Sequence, residues 1–133
     1  MPVTFDQIQV NSTYTRHDLA RIWGYASREA LHRGVVTPRG DNKIILFVTE
    51  DKSPSATPYH DRLIDDTLEW DGPNDHFAEE RMVTSIDSGD EIHLFHRFHS
   101  RDGFTYRGPI RFVQAERHTA QPSRFTFTLT PAA

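Results

Sequence analysis

Aromatic rings alternate with basic side chains in two neighbouring segments of the second half of the chain. Residues 91–99 have the sequence Glu-Ile-His-Leu-Phe-His-Arg-Phe-His, and residues 103–108 have the sequence Gly-Phe-Thr-Tyr-Arg-Gly. Rings can stack on a planar base, and a guanidinium group can bind a phosphate. One face could therefore offer rings and donors to a flat polar ligand. The commoner interpretation places the rings in a core and leaves Arg97 and Arg107 in solvent.

A second group of rings and carboxylates flanks one short loop. Tyr59 and Asp61 precede this loop, and Trp70 follows it. Aromatic faces can enclose a base while a carboxylate such as Asp61 accepts a hydrogen bond from its exocyclic amine. The alternative is that Trp70 belongs to the core and that Asp61 is a turn residue.

Metal and nucleophilic chemistry have little support in the sequence. His93, His96 and His99 are three residues apart, but in a strand His96 points away from the other two, so they cannot bind one ion. Residues 50–52 give Glu-Asp-Lys after a predicted strand, yet they lie in a loop with two prolines. The chain has no cysteine and no Gly-x-Ser-x-Gly motif. The sequence therefore predicts no catalytic residue, no metal and no cofactor.

Charge is distributed unevenly along the chain. The formal net charge is −4, but residues 12–45 and 91–133 each carry +3 while residues 46–90 carry −9. If the two basic segments share a face, they form a positive patch that could follow a DNA backbone. Otherwise the surface is an ordinary mixture of charges. The candidate DNA-backbone residues are Arg28, Arg33, Arg39, Lys43, Arg101 and Arg107.

Length and composition favour one intracellular domain. A chain of 133 residues is long enough for a single core without disulfides. It has no apolar run of membrane-spanning length and no signal-peptide pattern at its N-terminus. We therefore expect a single domain over 1–133, located in the cytoplasm, with no membrane partner.

Turn and capping residues divide the chain into short elements. Thr15 predicts the start of a helix over 16–23, which Gly24 ends. A second short helix is predicted over 28–33. The pair resembles a helix-turn-helix, but its helices are short and lightly basic, so we expect them to cover one end of a barrel. The apolar run 43–49 predicts a buried central strand.

The period of two in residues 91–99 and 103–108 predicts a β-hairpin with a tight turn. Strands outnumber helices, and the chain shows no regular alternation of strand and helix. The predicted fold is α+β and mostly β: a small mixed or antiparallel β-barrel with two or three short helices. The other predicted elements are strands at 68–70, 110–116 and 125–129 and a short helix within 75–86.

Short motifs of glycine, aromatic and basic residues follow one another along residues 12–113. They are Trp-Gly-Tyr at 23–25, Arg-Gly-Val-Val-Thr-Pro at 33–38, Ile-Leu-Phe-Val-Thr at 45–49, Lys at 52, Tyr-His-Asp at 59–61, Leu-Glu-Trp at 68–70, Ile-His-Leu-Phe-His-Arg at 92–97 and Phe-Thr-Tyr-Arg-Gly at 104–108.

This ordered set resembles a domain of the PUA-like superfamily, which includes the SRA, EVE and ASCH modules. Such domains are found fused to HNH endonucleases and at the C-terminus of some restriction-system helicases. The resemblance implies a β-barrel whose pocket accepts a flipped modified base. This sequence departs from the fused examples because it carries no HNH Cys/His set; if the chain is complete, it has no nuclease of its own.

The function that the resemblance implies is a DNA-binding module of bacterial restriction and defence. It would recognise a modified cytosine, such as 5-methyl- or 5-hydroxymethylcytosine, in double-stranded DNA by base flipping, with an HNH nuclease as a fused or separate partner. Two alternatives remain: a nucleotide- or nucleic-acid-processing enzyme, and a protein-interaction module without a pocket. The implied base-binding residues are Tyr59, Asp61, Trp70, Arg97 and Tyr106.

Overall fold

The computed structural model of the protein describes residues 3–38, 40–51, 61–72, 77–99, 101–117 and 123–129. The helices are α1 (Arg16–Trp23), a 3₁₀ helix (Arg28–Leu31), α2 (Glu79–Val83) and α3 (Ser85–Ser88). The strands are β1 (Thr13–Tyr14), β2 (Val35–Val36), β3 (Lys43–Asp51), β4 (Arg62–Ile64), β5 (Thr67–Asp71), β6 (Glu91–His99), β7 (Phe104–Glu116) and β8 (Arg124–Leu129).

The eight strands form one open, mixed sheet. Their order is β2-β3-β6-β7-β8-β5-β4, and β1 pairs with β7. Only β3 and β6 run parallel; the other pairs that the structure describes are antiparallel. The prediction of a mostly-β α+β fold with short helices is confirmed, and the prediction of a barrel is wrong. A barrel closes when its two edge strands pair with each other, whereas the short edge strands β2 and β4 are paired, among the described residues, with β3 and β5 alone.

Helix α1 begins and ends at the predicted residues. The Thr15 hydroxyl accepts a hydrogen bond from the Asp18 N–H, and the Asp18 carboxylate accepts one from the Thr15 N–H, both at 3.0 Å. Gly24 ends the helix in the left-handed conformation at φ 77°. The second predicted helix is a shorter 3₁₀ helix, with Ser27 as its N-cap. Both elements cover one face of the open sheet, because they bury apolar side chains in the same core.

Two hydrophobic cores lie on opposite faces of the sheet. Alternate residues of β3 enter different cores: Ile45 and Phe47 pack beneath α1, while Ile44 and Leu46 pack with Met82 of α2. Burial on both faces explains why this strand is continuously apolar. The first core comprises Val3, Ile8, Leu19, Ala20, Trp23, Leu31, Val36, Ile45, Phe47, Phe95, Phe104 and Tyr106, and the second comprises Val35, Ile44, Leu46, Val48, Leu68, Trp70, Met82, Ile92, Leu94, Ile110, Phe125 and Phe127.

The predicted hairpin is formed by β6 and β7. Strand β7 is longer than predicted because the segments 103–108 and 110–116 join into one strand through Gly108, whose φ is 90°. Residues 92–96 are all buried, so only the end of β6, at residues 97–99, could offer a face to a ligand. Both faces of this part of β6 are covered, because Phe95 lies in the first core while Ile92 and Leu94 lie in the second; Phe98 and His99, at the end of the strand, are exposed.

His93 is a buried titratable residue beside the first core. Its Nδ1 lies 2.7 Å from the Tyr106 hydroxyl, and its Nε2 lies 3.0 Å from a Glu91 carboxylate oxygen. Its ring stacks on Phe5 with centroids 3.8 Å apart. Burial lowers the pKa of His93 from 6.5, and the Glu91 hydrogen bond opposes this only in part. Folding therefore favours the neutral imidazole.

The lowered pKa of His93 predicts a loss of stability in mild acid. Because the unfolded chain binds the proton more readily, this contribution to stability is present above pH 6.5 and is lost as pH falls through the folded-state pKa. We expect the free energy of unfolding to decrease between about pH 7 and about pH 5, and we expect His93→Gln to flatten this dependence. Urea unfolding at several pH values measures the free energy of unfolding in the wild type and in the variant. An unchanged pH profile in the variant would contradict the assignment.

Candidate functional site

A cationic cleft lies where the start of α1, the 3₁₀ helix and the turn between β6 and β7 meet. Its volume is about 450 Å³, a size typical of small-molecule sites. We call it the arginine cleft. Its cationic or titratable basic side chains are Arg16, His17, Arg28, His32, Arg97 and Arg101, and its other lining residues are Thr15, Glu29, Asp102 and Phe104.

Arg16 connects the two helical elements at this cleft. It is the first residue of α1, so the Thr15 cap fixes where its side chain leaves the backbone. Its Nε–H donates a 2.7 Å hydrogen bond to the carbonyl of Leu31, at the end of the 3₁₀ helix. Its guanidinium carbon lies 4.8 Å from the Phe47 ring centroid and 4.9 Å from that of Phe104. Arg16 is thus held in one orientation by a hydrogen bond and two rings.

Arg97 reaches the same cleft from β6. Its Nε–H donates to the Thr49 hydroxyl at 2.8 Å, and its Nη1 donates to the Asp102 carbonyl at 3.0 Å. Its guanidinium carbon lies 4.0 Å from the Phe104 ring centroid. Phe104 therefore contacts both guanidinium groups, and such cation–π contacts hold the two cations close together.

The two fixed arginines lie close enough for their positive charges to repel each other. Burial and, to a smaller extent, the charge of Arg97 together lower the pKa of Arg16 to about 10. Burial also lowers the pKa of Arg97, partly opposed by Asp102. In the part of the chain that the structure describes, neither guanidinium has a carboxylate within 4.0 Å. A bound anion would relieve this repulsion.

A second cleft, of about 400 Å³, lies beside the same hairpin. We call it the hairpin cleft. It shares Arg97 and Asp102 with the arginine cleft. Gly103 allows β1 to pack closely against the hairpin, since a Cβ on residue 103 would lie only 2.6 Å from Thr13 Cγ2. Its lining residues are Thr13, His96, Arg97, Phe98, Asp102, Gly103, Thr105 and Arg107.

The five predicted base-binding residues do not form one pocket in the described part of the chain. Trp70 is 4 % exposed in the second core and Tyr106 is 3 % exposed in the first core, so the sheet separates their rings. Asp61 is buried and accepts a 2.8 Å hydrogen bond from the Asp71 N–H. Arg97 lines both clefts. Tyr59 lies outside the described residues.

Half of the predicted DNA-backbone residues lie at the clefts. Arg28 and Arg101 line the arginine cleft, and Arg107 lines the hairpin cleft. Arg33 lies over the Phe77 ring at 4.6 Å. Lys43, at the opposite end of β3 from the clefts, forms ion pairs with Asp41 and Glu91. Arg39 lies outside the described residues, and the DNA-binding roles of all six remain predictions.

Three basic residues of the arginine cleft were not predicted as site residues from the sequence. Arg16, His17 and His32 come from the helical elements, whose apolar stripes were assigned to the core. The capping signal at Thr15 could have located Arg16 and His17, because it places both in the first turn of α1. Their position beside Arg97 depends on contacts far apart in sequence, which no local pattern encodes.

These features define a mostly-β α+β domain with adjoining cationic clefts. A comparison with known families shows which family this domain belongs to. The chain belongs to the family described as Domain of unknown function (DUF3427), which matches residues 8–129. No curated protein matches the chain.

Among the described residues, no helix is long and apolar enough to cross a bilayer, and no three His, Asp or Glu side chains converge as a metal site would require.

Proposed function

We propose that this domain binds nucleic acid and that the arginine cleft holds the phosphate backbone. The observation that carries the proposal is the pair Arg16 and Arg97. Both are fixed by hydrogen bonds, both contact Phe104, and neither has a carboxylate partner within 4.0 Å among the described residues. A phosphate oxygen supplies the missing negative charge and accepts charge-assisted hydrogen bonds from guanidinium groups.

The arrangement of charge along the sheet supports the same proposal. Five acidic residues of the central segment lie on β5 or beside β4 and β5, which β8 separates from β7: Asp61, Asp65, Asp66, Glu69 and Asp71. Glu50, on β3, lies instead beside the hairpin cleft, where its carboxylate is 2.6 Å from His96 Nε2. Some of this acidity is already compensated, because Arg124 forms ion pairs with Asp71 at 2.7 Å and Glu69 at 3.8 Å. The net charge of −4 therefore does not prevent a local positive surface from attracting a polyanion.

The finer proposal is that the ligand is double-stranded DNA with a modified cytosine, read by base flipping in a bacterial defence context. It is supported by the resemblance to PUA-like readers and by the position of Arg97 at both clefts. In this proposal the domain is a cytoplasmic binding module, and DNA cleavage requires a separate nuclease such as an HNH domain. The aromatic wall is not formed by Trp70 and Tyr106 together, since the sheet lies between them.

Salt dependence tests the proposal. If Arg16, Arg28, Arg97 and Arg101 supply three or four phosphate contacts, the logarithm of the binding constant should fall with a slope of about −2.7 to −3.6 against the logarithm of salt concentration. Affinity should drop about 40- to 150-fold between about 50 and about 200 mM salt. Fluorescence anisotropy with matched unmodified, methylated and hydroxymethylated duplexes measures this slope. An affinity independent of salt would refute backbone binding, and equal affinities for the three duplexes would refute modified-base reading.

A further inference from the structure

The hairpin cleft carries an exposed aromatic ring among basic side chains. Phe98 is 60 % exposed, whereas the neighbouring rings Phe95 and Phe104 are buried in the first core. Alternation along β6 points Phe98 to the opposite face from Arg97. Single exposed apolar side chains are common on protein surfaces, so the significance of Phe98 depends on the polar and basic side chains that line the cleft with it.

The surroundings of Phe98 hold its ring in a defined position. The His96 ring meets it edge to face, with centroids 5.0 Å apart and an interplanar angle of 85°. His96 is itself fixed, because its Nε2 lies 2.6 Å from a Glu50 carboxylate oxygen and its side chain is buried. Phe98 is thus supported on one side while most of its surface stays accessible.

Two arginines line the same cleft as this ring. Arg97 and Arg107 line the hairpin cleft with Phe98, and Arg107 forms no ion pair with a residue that the structure describes. The two clefts adjoin at the hairpin turn, because Arg97 and Asp102 line both. A nucleic-acid strand with phosphates in the arginine cleft would therefore bring an adjacent nucleotide to Phe98.

We propose that Phe98 is a stacking platform for an unpaired base and that Arg107 contacts a phosphate of the same strand. The proposal rests on the proposed function and adds a ligand class to it, namely a single-stranded or locally unpaired segment. Stacking on a phenyl ring requires an exposed base face, which a base inside a duplex does not offer. It tolerates every base, because each has a π face.

Two oligonucleotides with equal numbers of phosphates separate stacking from backbone binding. One is oligothymidine, and the other carries abasic tetrahydrofuran residues throughout. The wild-type protein should prefer the thymidine strand by about 5- to 150-fold, the range expected for stacking one base. Phe98→Ala should lose most of this preference while its affinity for the abasic strand stays unchanged.

Ile86→Ala is the matched control, because Ile86 is also 60 % exposed but lies on α3. It should keep the wild-type preference. Equal wild-type affinities for the two strands, or a preference that survives in Phe98→Ala, would overturn the stacking proposal while leaving backbone binding intact. If neither single strand binds but a duplex of the same length does, the stacking proposal fails and backbone binding stands; if the duplex does not bind either, the proposed function itself fails. A protein dimer that Phe98→Ala dissociates would also overturn it, because the ring would then be covered by a second copy.

Discussion

Replacing Trp70 by alanine is expected to lower the free energy of unfolding by about 3–5 kcal/mol. Trp70 is 4 % exposed and packs against Phe125 and Phe127, with ring centroids 5.6 and 6.1 Å away. It is also paired in register with Phe125 across β5 and β8. Truncation leaves a cavity in the second core that these rings can fill only in part.

Thermal unfolding and DNA binding together decide the role of Trp70. A loss of this size should lower the melting temperature by about 10 °C or more in a domain of this length. Phe98→Ala, which removes an exposed ring, should leave the melting temperature almost unchanged. If Trp70→Ala instead kept its stability and lost only its preference for modified over unmodified DNA, Trp70 would be a reader of the base and not a core residue.

Reversing two charges in the arginine cleft should give the largest loss of binding. Arg28 and Arg101 line the cleft and are exposed, so Arg28→Glu with Arg101→Glu should not disturb the cores. Loss of two phosphate contacts should reduce the salt slope by about 2 and lower affinity about 60-fold at roughly 0.1 M salt. Repulsion between the two introduced carboxylates and the phosphates should lower the affinity further.

A double variant with the same change in net charge controls for long-range electrostatics. Arg62→Glu with Arg111→Glu alters two exposed residues that line neither cleft. This variant should keep most of the affinity and a salt slope close to that of the wild type. Equal losses in both double variants would show that net charge, and not the arginine cleft, governs binding. Melting curves should show that both variants remain folded.

Local patterns in the sequence were sufficient to place several elements. The Thr15 cap and Gly24 located α1 to the residue, because capping uses atoms within a few positions of each other. The uninterrupted apolar run 43–49 identified β3 as a central strand, since only a strand covered on both faces tolerates such a run. The alternation around the turn at 100–103 predicted the β6–β7 hairpin, because its two strands are adjacent in sequence.

The way these elements combine was decided by contacts between distant residues. The sequence itself determined a mostly-β domain with short helices, a basic hairpin and an arginine at the start of α1. Only the tertiary structure decided that the sheet stays open, that Trp70 and Tyr106 lie in separate cores, and that Arg16 and Arg97 meet over Phe104. The physical reason is that strand order and face depend on long-range pairing, and a change of register by one residue moves a side chain to the other face of the sheet.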